Sequence, residues 1–384
     1  MLHEFHQSLG ARFTELNGAQ VVSDYGDWLA EHAALGETAG VIDLSFRSRL
    51  CLVGADRVRF LHGQVTNDVK KLRAGEGCYT AITTAKGKME SDLNIFNLAD
   101  ELLLDFEPGL TEKIPQRLEK FIVADDVQIV DAAPHYGLLS VQGPKAVEVI
   151  GALNLFAEFP TKPLGSVKIS DATLGEIFLV NHARLAGSAG FQPASSRDES
   201  IATHQQDAGA PGIFGFDLFV PNNSLGAVAD KLIAAAKALG GRACGGQAFE
   251  TARIEAGIPR YGADMDETNI PLECGIESRA VTYNKGCYIG QEVINRIHSV
   301  GHVNRELRGL RLADDLKTLP SRGDKLFHAG KEVGHITSAV KSPLLNANIA
   351  LGYVRREANQ IGSELMLQTV DGESPAKIVA LPFA

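Results

Sequence analysis

A cysteine stands between a lysine and a Gly-Gln-Glu step in the run YNKGCYIGQE, Tyr283 to Glu292. A thiol does most of its chemistry as the thiolate, and two neighbours here favour the anion. Lys285 lies two residues before Cys287. The stretch GQEVINRI after it opens a short helix with Val293, Ile294 and Ile297 as its apolar residues. Gly286 and Gly290 let the backbone take unusual φ values or lie close to a ligand. The residues alone leave two readings open: a working thiol, or a small buried residue in a turn, as free cysteines commonly are. A nucleophile of the papain type also needs a histidine and an orienting partner in space, and spacing does not place His298, His302 or His335 there.

No CxxC, HExxH or Cys/His cluster accompanies Cys287, so no metal site built from protein ligands alone is expected. The five cysteines, Cys51, Cys78, Cys244, Cys274 and Cys287, are odd in number and scattered. That pattern fits a reducing compartment, and the cytoplasm is the expected location. The opening MLHEFHQSLGARFTELNG has no basic segment followed by an apolar run, so no signal peptide is expected. No stretch approaches the roughly 18 uninterrupted apolar residues of a membrane span. Formal charge is −10, from 37 basic and 47 acidic residues. This argues against broad binding of nucleic acid or anionic membrane, and no direct nucleic-acid contact is expected.

The elements that must position these groups follow from periodicity. A chain of 384 residues exceeds the size at which single cores stop growing, so two or three domains are expected. SFRSRLCLVG sets Phe46, Ser48, Leu50 and Leu52 against Arg47, Arg49, Cys51 and Val53, the signature of a half-buried strand. Asp56 reads as the N-cap of a helix carrying Val58, Leu61 and Val65. Successive strands follow from Cys78, broken at Lys86-Gly87-Lys88 and at Ala99-Asp100-Glu101. LTEKIPQRLEKFI reads as a helix with Pro115 near its first turn. DVQIVD and YGLLSVQG return to strand, and PKAVEVIGAL is a short helix opened by proline. FGFDLFVP is a strand, followed by a helix with Val228, Leu232 and Leu239 inward and Gly240 as its stop. GGRACGGQAFE lacks dinucleotide-type glycine spacing and reads as a helix C-cap plus a turn. The segment from Leu185 to Pro211 is low in large apolar residues and reads as a mobile surface insertion. From about Gly301 short strands and turns take over, an all-β domain of barrel type.

The motif K-G-C-Y-I-G-Q-E resembles the signature of the YgfZ-type folate-binding proteins, relatives of a mitochondrial iron–sulfur assembly factor and homologues of the glycine-cleavage T-protein. FLHGQVTNDVKKLRAGEGCYTAITTAKGKMESDL is similar to the first half of that family. LLSVQGPKA and ARIEAGIPRYGADMDETNIPLECGI are similar to its middle, and VGHITSAVKSPLLNANIALGYV with VALPF to its C-terminal barrel. The resemblance implies an α+β fold of GcvT-like arrangement: two interleaved α+β halves with antiparallel sheets over residues 1–298, then a C-terminal β-barrel over 299–384. The insertion at 185–211 has no counterpart in it.

The resemblance also assigns roles. The bound cofactor is tetrahydrofolate or a one-carbon derivative. Its pterin ring offers N3–H and a 2-amino group, a donor pair that suits a carboxylate, and Asp217 in GFD stands at the matching position. A strand-edge charge is the plainer reading of Asp217. Arg253 in ARIEAG matches the cation for the anionic folate tail, and the alternative is a helix arginine paired with Glu250 or Glu255. GKMESD places Asp92 where the T-protein has a catalytic aspartate, with Ser91 in place of a second one. Asn67, beside Asp68 in TNDV, recurs in both branches and reads as a turn cap ahead of a ligand. Lys285 is expected among the cofactor-binding residues with Asp217, Arg253 and Asn67; Cys287 and Asp92 are the expected catalytic residues, and no metal is expected. The expected function is support of iron–sulfur cluster assembly or repair, acting on iron–sulfur proteins or assembly factors and, through them, on tRNA modification. The alternative is a folate-dependent aminomethyltransferase.

Overall fold

The strand expected in SFRSRLCLVG forms as Ser48–Val53, and both of its faces are buried where one was expected to be solvated. Leu50 and Leu52 pack with Leu93, Ile95 and Leu104 on one side. Cys51 faces the other side, among Ile42, Phe96, Leu103 and Phe219. Arg49 made the alternation look half-exposed, yet it is 1% exposed. Its two terminal guanidinium nitrogens donate to the carbonyls of Arg47 and Ser45 at 2.9 and 3.0 Å, while Nε is buried without a partner among the described residues. Burial is tolerated because those backbone acceptors replace water.

The computed structural model describes residues 2–185 and 215–383. Nearly all of the expected insertion at 185–211 therefore lies outside the described residues. Two sheets form the body. The first runs in the order Gly77–Thr83, Met89–Asn97, Leu102–Phe106, Ser48–Val53, Gln128–Asp131. The second runs Ser166–Asp171, Gly175–Asn181, Gly215–Pro221, Tyr136–Gln142, Gly40–Asp43, Arg242–Ala243. The chain leaves the second sheet after Gly40–Asp43, builds the whole first sheet, and returns at Tyr136–Gln142. That excursion interleaves the halves. The pairs are antiparallel except Arg242–Ala243, which runs parallel to Gly40–Val41. GGRACGGQAFE thus contributes a two-residue strand and the start of helix Gly246–Glu255, beyond the cap and turn expected of it.

The helices are shorter than their patterns suggested. Asp56 sits at the N-cap of helix Arg57–His62 without bonding its backbone. Its carboxylate instead accepts from Arg59 at 3.2 Å and from the Asp126 N–H at 3.0 Å. Val65 leaves that helix and bridges to Ile82. Helix Leu225–Ala238 buries Val228 and Leu232 and is stopped by Gly240 at φ +86°, a left-handed value that favours glycine. A hairpin near the N-terminus, Arg12–Leu16 with Ala19–Asp24, turns at Asn17-Gly18 with both residues at positive φ.

Beyond helix Gln291–Val300 six strands close a barrel in the order Arg305–Leu312, Ala347–Arg355, Lys331–Ser342, Lys325–His328, Glu364–Thr369, Gly372–Val379. Leu310, Leu326, Ile336, Leu367 and Ile378 fill it. The outside of the barrel packs on the body through Leu307, Ile349 and Tyr353 against Ile254, Met265 and Cys274. Among the described residues no helix is long and apolar enough to cross a membrane.

Candidate functional site

Strand Met89–Asn97 pairs with Gly77–Thr83 so that Asp92 lies opposite Ala81. The Tyr79 hydroxyl donates to Asp92 Oδ2 at 2.7 Å, and the Arg279 guanidinium covers the Tyr79 ring at 5.2 Å. Burial pushes the Asp92 carboxyl up to about 6, with Glu107 adding to the shift while the Tyr79 hydrogen bond and Arg47 oppose it. A carboxyl that exchanges its proton near neutral pH is suited to general acid or base work.

Behind Asp92 lies a chain of buried charges. Arg47 donates to Asp105 at 2.7 Å and also to Glu107. Arg184 bridges Asp105 at 3.0 Å and Asp217 at 2.7 Å, and His182 Nδ1 meets Asp217 at 2.8 Å. Burial acts to raise the Asp105 carboxyl, but Arg47 and Arg184 outweigh it and hold it well below the usual range. Asp217 is lowered in the same way by Arg184 and His182 against burial. Asp217 is 0% exposed, with both oxygens accepting from Arg184 Nε at 3.1 and 2.9 Å. The donor pair it faces belongs to this chain's own guanidinium, where the sequence reading had placed a pterin. This is a correction: an oxygen pair already shared by Arg184 and His182 is not open to a ligand.

Arg253 is corrected likewise. It is 3% exposed and bonds Asp264, Glu250 and, at 2.9 Å, the Ser338 hydroxyl of the barrel. The plainer reading, a pair with Glu250, is the one found, and the residue fastens helix Gly246–Glu255 to the barrel. Asn67 donates to the carbonyls of Tyr79 and Arg279 at 2.9 and 3.0 Å and accepts from the Asp68 N–H at 2.8 Å. It ties its own turn together. Lys285 gives its three donors to the carbonyls of His62, Val65 and Asn67, each at 2.7 Å. Burial lowers its ammonium to about 8. Its charge is spent on those carbonyls, which removes it from the role of a ligand contact. Lys285→Met would leave three carbonyls without their donor, and we expect a loss of about 2–4 kcal/mol in urea unfolding. Cys287 is exposed, and it alone among the five cysteines is.

A cavity of about 200 Å³ opens between the N-terminal hairpin, strand Gly40–Asp43 and helix Gly246–Glu255. Leu16, Val22, Ile42, Phe46 and Phe249 form its apolar walls, and Arg47, Glu107, Glu250 and Arg260 its charged end. Arg260 is held only by long contacts, 3.5 Å to Glu107 and 3.3 Å to Glu250. Arg47 and Glu107 at that end also act electrostatically on Asp92, which does not itself line the cavity. The volume is below the roughly 300 Å³ of small ligand pockets, enough for one ring system. Sequence reading missed Arg47, Glu107 and Arg260 because they come from three separate segments and share no local motif. Among the described residues no group of three or more His, Cys, Asp or Glu side chains is placed to hold a metal ion.

The GCVT N-terminal domain model matches residues 2–185 and 211–285, and the glycine cleavage T-protein C-terminal barrel domain model matches 305–384. The chain belongs to the glycine-cleavage T-protein family. An aminomethyltransferase of Shouchella clausii is 27% identical over 382 residues, covering 100% of this chain and 96% of that one. Another, from Corynebacterium jeikeium, is 29% identical over 391 residues, covering 100% and 97%. The crystal structure of glycine cleavage system aminomethyltransferase T from Bartonella henselae superposes with a TM-score of 0.82 at 21% identity, covering 100% of this chain and 97% of that chain. The T-protein fold therefore extends over the whole chain, with Asp92 and the charged cavity end inside the GCVT domain.

Proposed function

We propose that this T-protein homologue binds a reduced folate and transfers a one-carbon unit, with Asp92 exchanging the proton. The observation that carries this is the buried Asp92 carboxyl, bonded by the Tyr79 hydroxyl at 2.7 Å and raised to about 6. The apolar walls suit a ring, while Glu107 and Glu250 at the charged end are already paired with Arg47, Arg253 and Arg260. The guanidinium groups of Arg47 and Arg260, which line the cavity, are the part of that end suited to an anionic tail. Bound folate would supply the nitrogen that carries the one-carbon unit. This chain's contribution is to hold a protonatable oxygen on Asp92, fixed by the Tyr79 hydroxyl.

Aminomethyl transfer is the form of this chemistry that the full-length curated relatives support. The test is ammonia release from an aminomethyl-loaded lipoylated carrier protein in the presence of tetrahydrofolate. Release that depends on Asp92 supports the reading, and none above background removes it. A second reading, support of iron–sulfur cluster assembly, is favoured by exposed Cys287 on the K-G-C-Y-I-G-Q-E loop. It expects that Cys287→Ser fails to restore iron–sulfur enzyme activity in a strain lacking the gene. Under aminomethyl transfer the same variant restores the wild-type phenotype.

A further inference from the structure

Helix Trp28–Glu37, helix Gly246–Glu255, the barrel turn at Pro343-Leu344 and the C-terminal Pro382-Phe383 line a second, larger cavity. Its volume is about 460 Å³, within the range of small-molecule pockets. Leu29, Leu35, Ala252, Leu344 and Phe383 supply apolar walls. Of these, Leu29 and Leu344 are exposed, and large apolar side chains left in solvent beside a cavity mark a binding rim.

One helix serves both cavities, which are nevertheless separate. Phe249 and Glu250 line the smaller one, and Ala252 and Glu255, further along the helix, line this one. Among the described residues its charged lining is Glu37 and the His32–Glu255 pair, with no lysine or arginine. An anionic ligand is therefore disfavoured. His32 is the polar centre and is 8% exposed. Its Nε2 meets Glu255 Oε2 at 2.6 Å, and the other Glu255 oxygen accepts from the Ser342 hydroxyl. In the neutral ring the proton sits on Nε2, facing Glu255, and Nδ1 is an acceptor. The ring makes no other hydrogen bond among the described residues. A nearly buried acceptor of this kind calls for a donor.

We propose that this cavity is a second small-molecule site, taking a neutral, apolar ring compound that carries one O–H or N–H donor. The donor bonds His32 Nδ1, and the ring packs against Leu35, Ala252 and Phe383. No step of the one-carbon chemistry involves these residues, so the site stands or falls independently of the folate reading.

2-Naphthol serves as the probe, with 2-methoxynaphthalene as the same ring system without the donor. Each is titrated calorimetrically into the full chain at about pH 8, where an ordinary imidazole is neutral. Saturable one-to-one binding of 2-naphthol is expected, at least about threefold tighter than that of the methoxy compound, the share of one hydrogen bond. His32→Leu should erase this preference. Gly36→Phe is the blocking variant and decides the matter if His32→Leu does not fold. A Cβ at Gly36, on the cavity lining, meets no atom within 4 Å, and replacing a helix glycine favours the helix. This variant should melt no lower than wild type yet bind 2-naphthol at least about tenfold more weakly, since its ring takes the space of the ligand's. Absence of saturable binding to the wild type would overturn the proposal. So would equal affinity for the two compounds, or a Gly36→Phe variant that binds 2-naphthol as tightly as wild type.

Discussion

Asp92→Asn is expected to stabilise the fold at pH 7.5 while lowering one-carbon transfer by about a hundredfold or more. The two effects share one cause. The carboxyl ionises near its ordinary 3.8 in the unfolded chain and at about 6 in the folded one. Between those values the folded chain holds a proton that the unfolded chain has released, so stability falls as pH rises through the window. Above pH 6 the penalty is complete. Two units correspond to roughly 3 kcal/mol, and residual solvent access lowers this to about 1–3 kcal/mol. Asparagine keeps an acceptor for Tyr79 and carries no charge. Its advantage in urea unfolding should be full at pH 7.5 and absent at pH 3.5. A variant that is less stable than wild type at pH 7.5 would contradict the assignment.

Asp217→Ala should cost about 3–5 kcal/mol, because it removes one partner of a buried ion pair and leaves Arg184 with Asp105 alone. Pairing Asp217→Ala with Arg184→Met removes both charges and should recover most of the loss. The pH dependence has the opposite sense to that of Asp92. Asp217 and Asp105 are both held below the usual carboxylate range. Their stabilisation is full above the unfolded value near 4 and is lost as pH falls through the folded values. Urea midpoints of the single and double variants at pH 7 check the ledger. A single variant as stable as wild type would show that the network contributes nothing.

Local signals in the sequence were enough for most strands, for the stop at Gly240 and for the all-β tail, since periodicity and turn residues act over a few positions. Asn17-Gly18, a strong hairpin signal in itself, lies between strands too short to stand out. The interleaving of the two halves was not legible bottom-up, because the return at Tyr136–Gln142 depends on pairing with Gly40–Asp43, nearly a hundred positions away. The site divides in the same way. Asp92 came from a motif, whereas its burial beside the Tyr79 hydroxyl, which raises its carboxyl, was set by strands the motif does not show. Asp217 and Arg253 were matched by position, yet Arg184, Asp264 and Ser338 reach them from distant segments and occupy their polar atoms. Lys285 was placed beside the thiol by spacing, whereas three carbonyls from another loop draw its ammonium away.

The central claim is that a reduced folate binds next to Asp92. Calorimetric titration of tetrahydrofolate into the wild type and Asp92→Asn, at pH 6 in two buffers of different ionisation enthalpy, tests it directly. The account predicts saturable one-to-one binding in both proteins. It also predicts a buffer-dependent heat in the wild type alone, since a ligand beside a half-protonated carboxyl shifts its proton occupancy. Absence of saturable binding, or an identical buffer dependence in the two proteins, would contradict it.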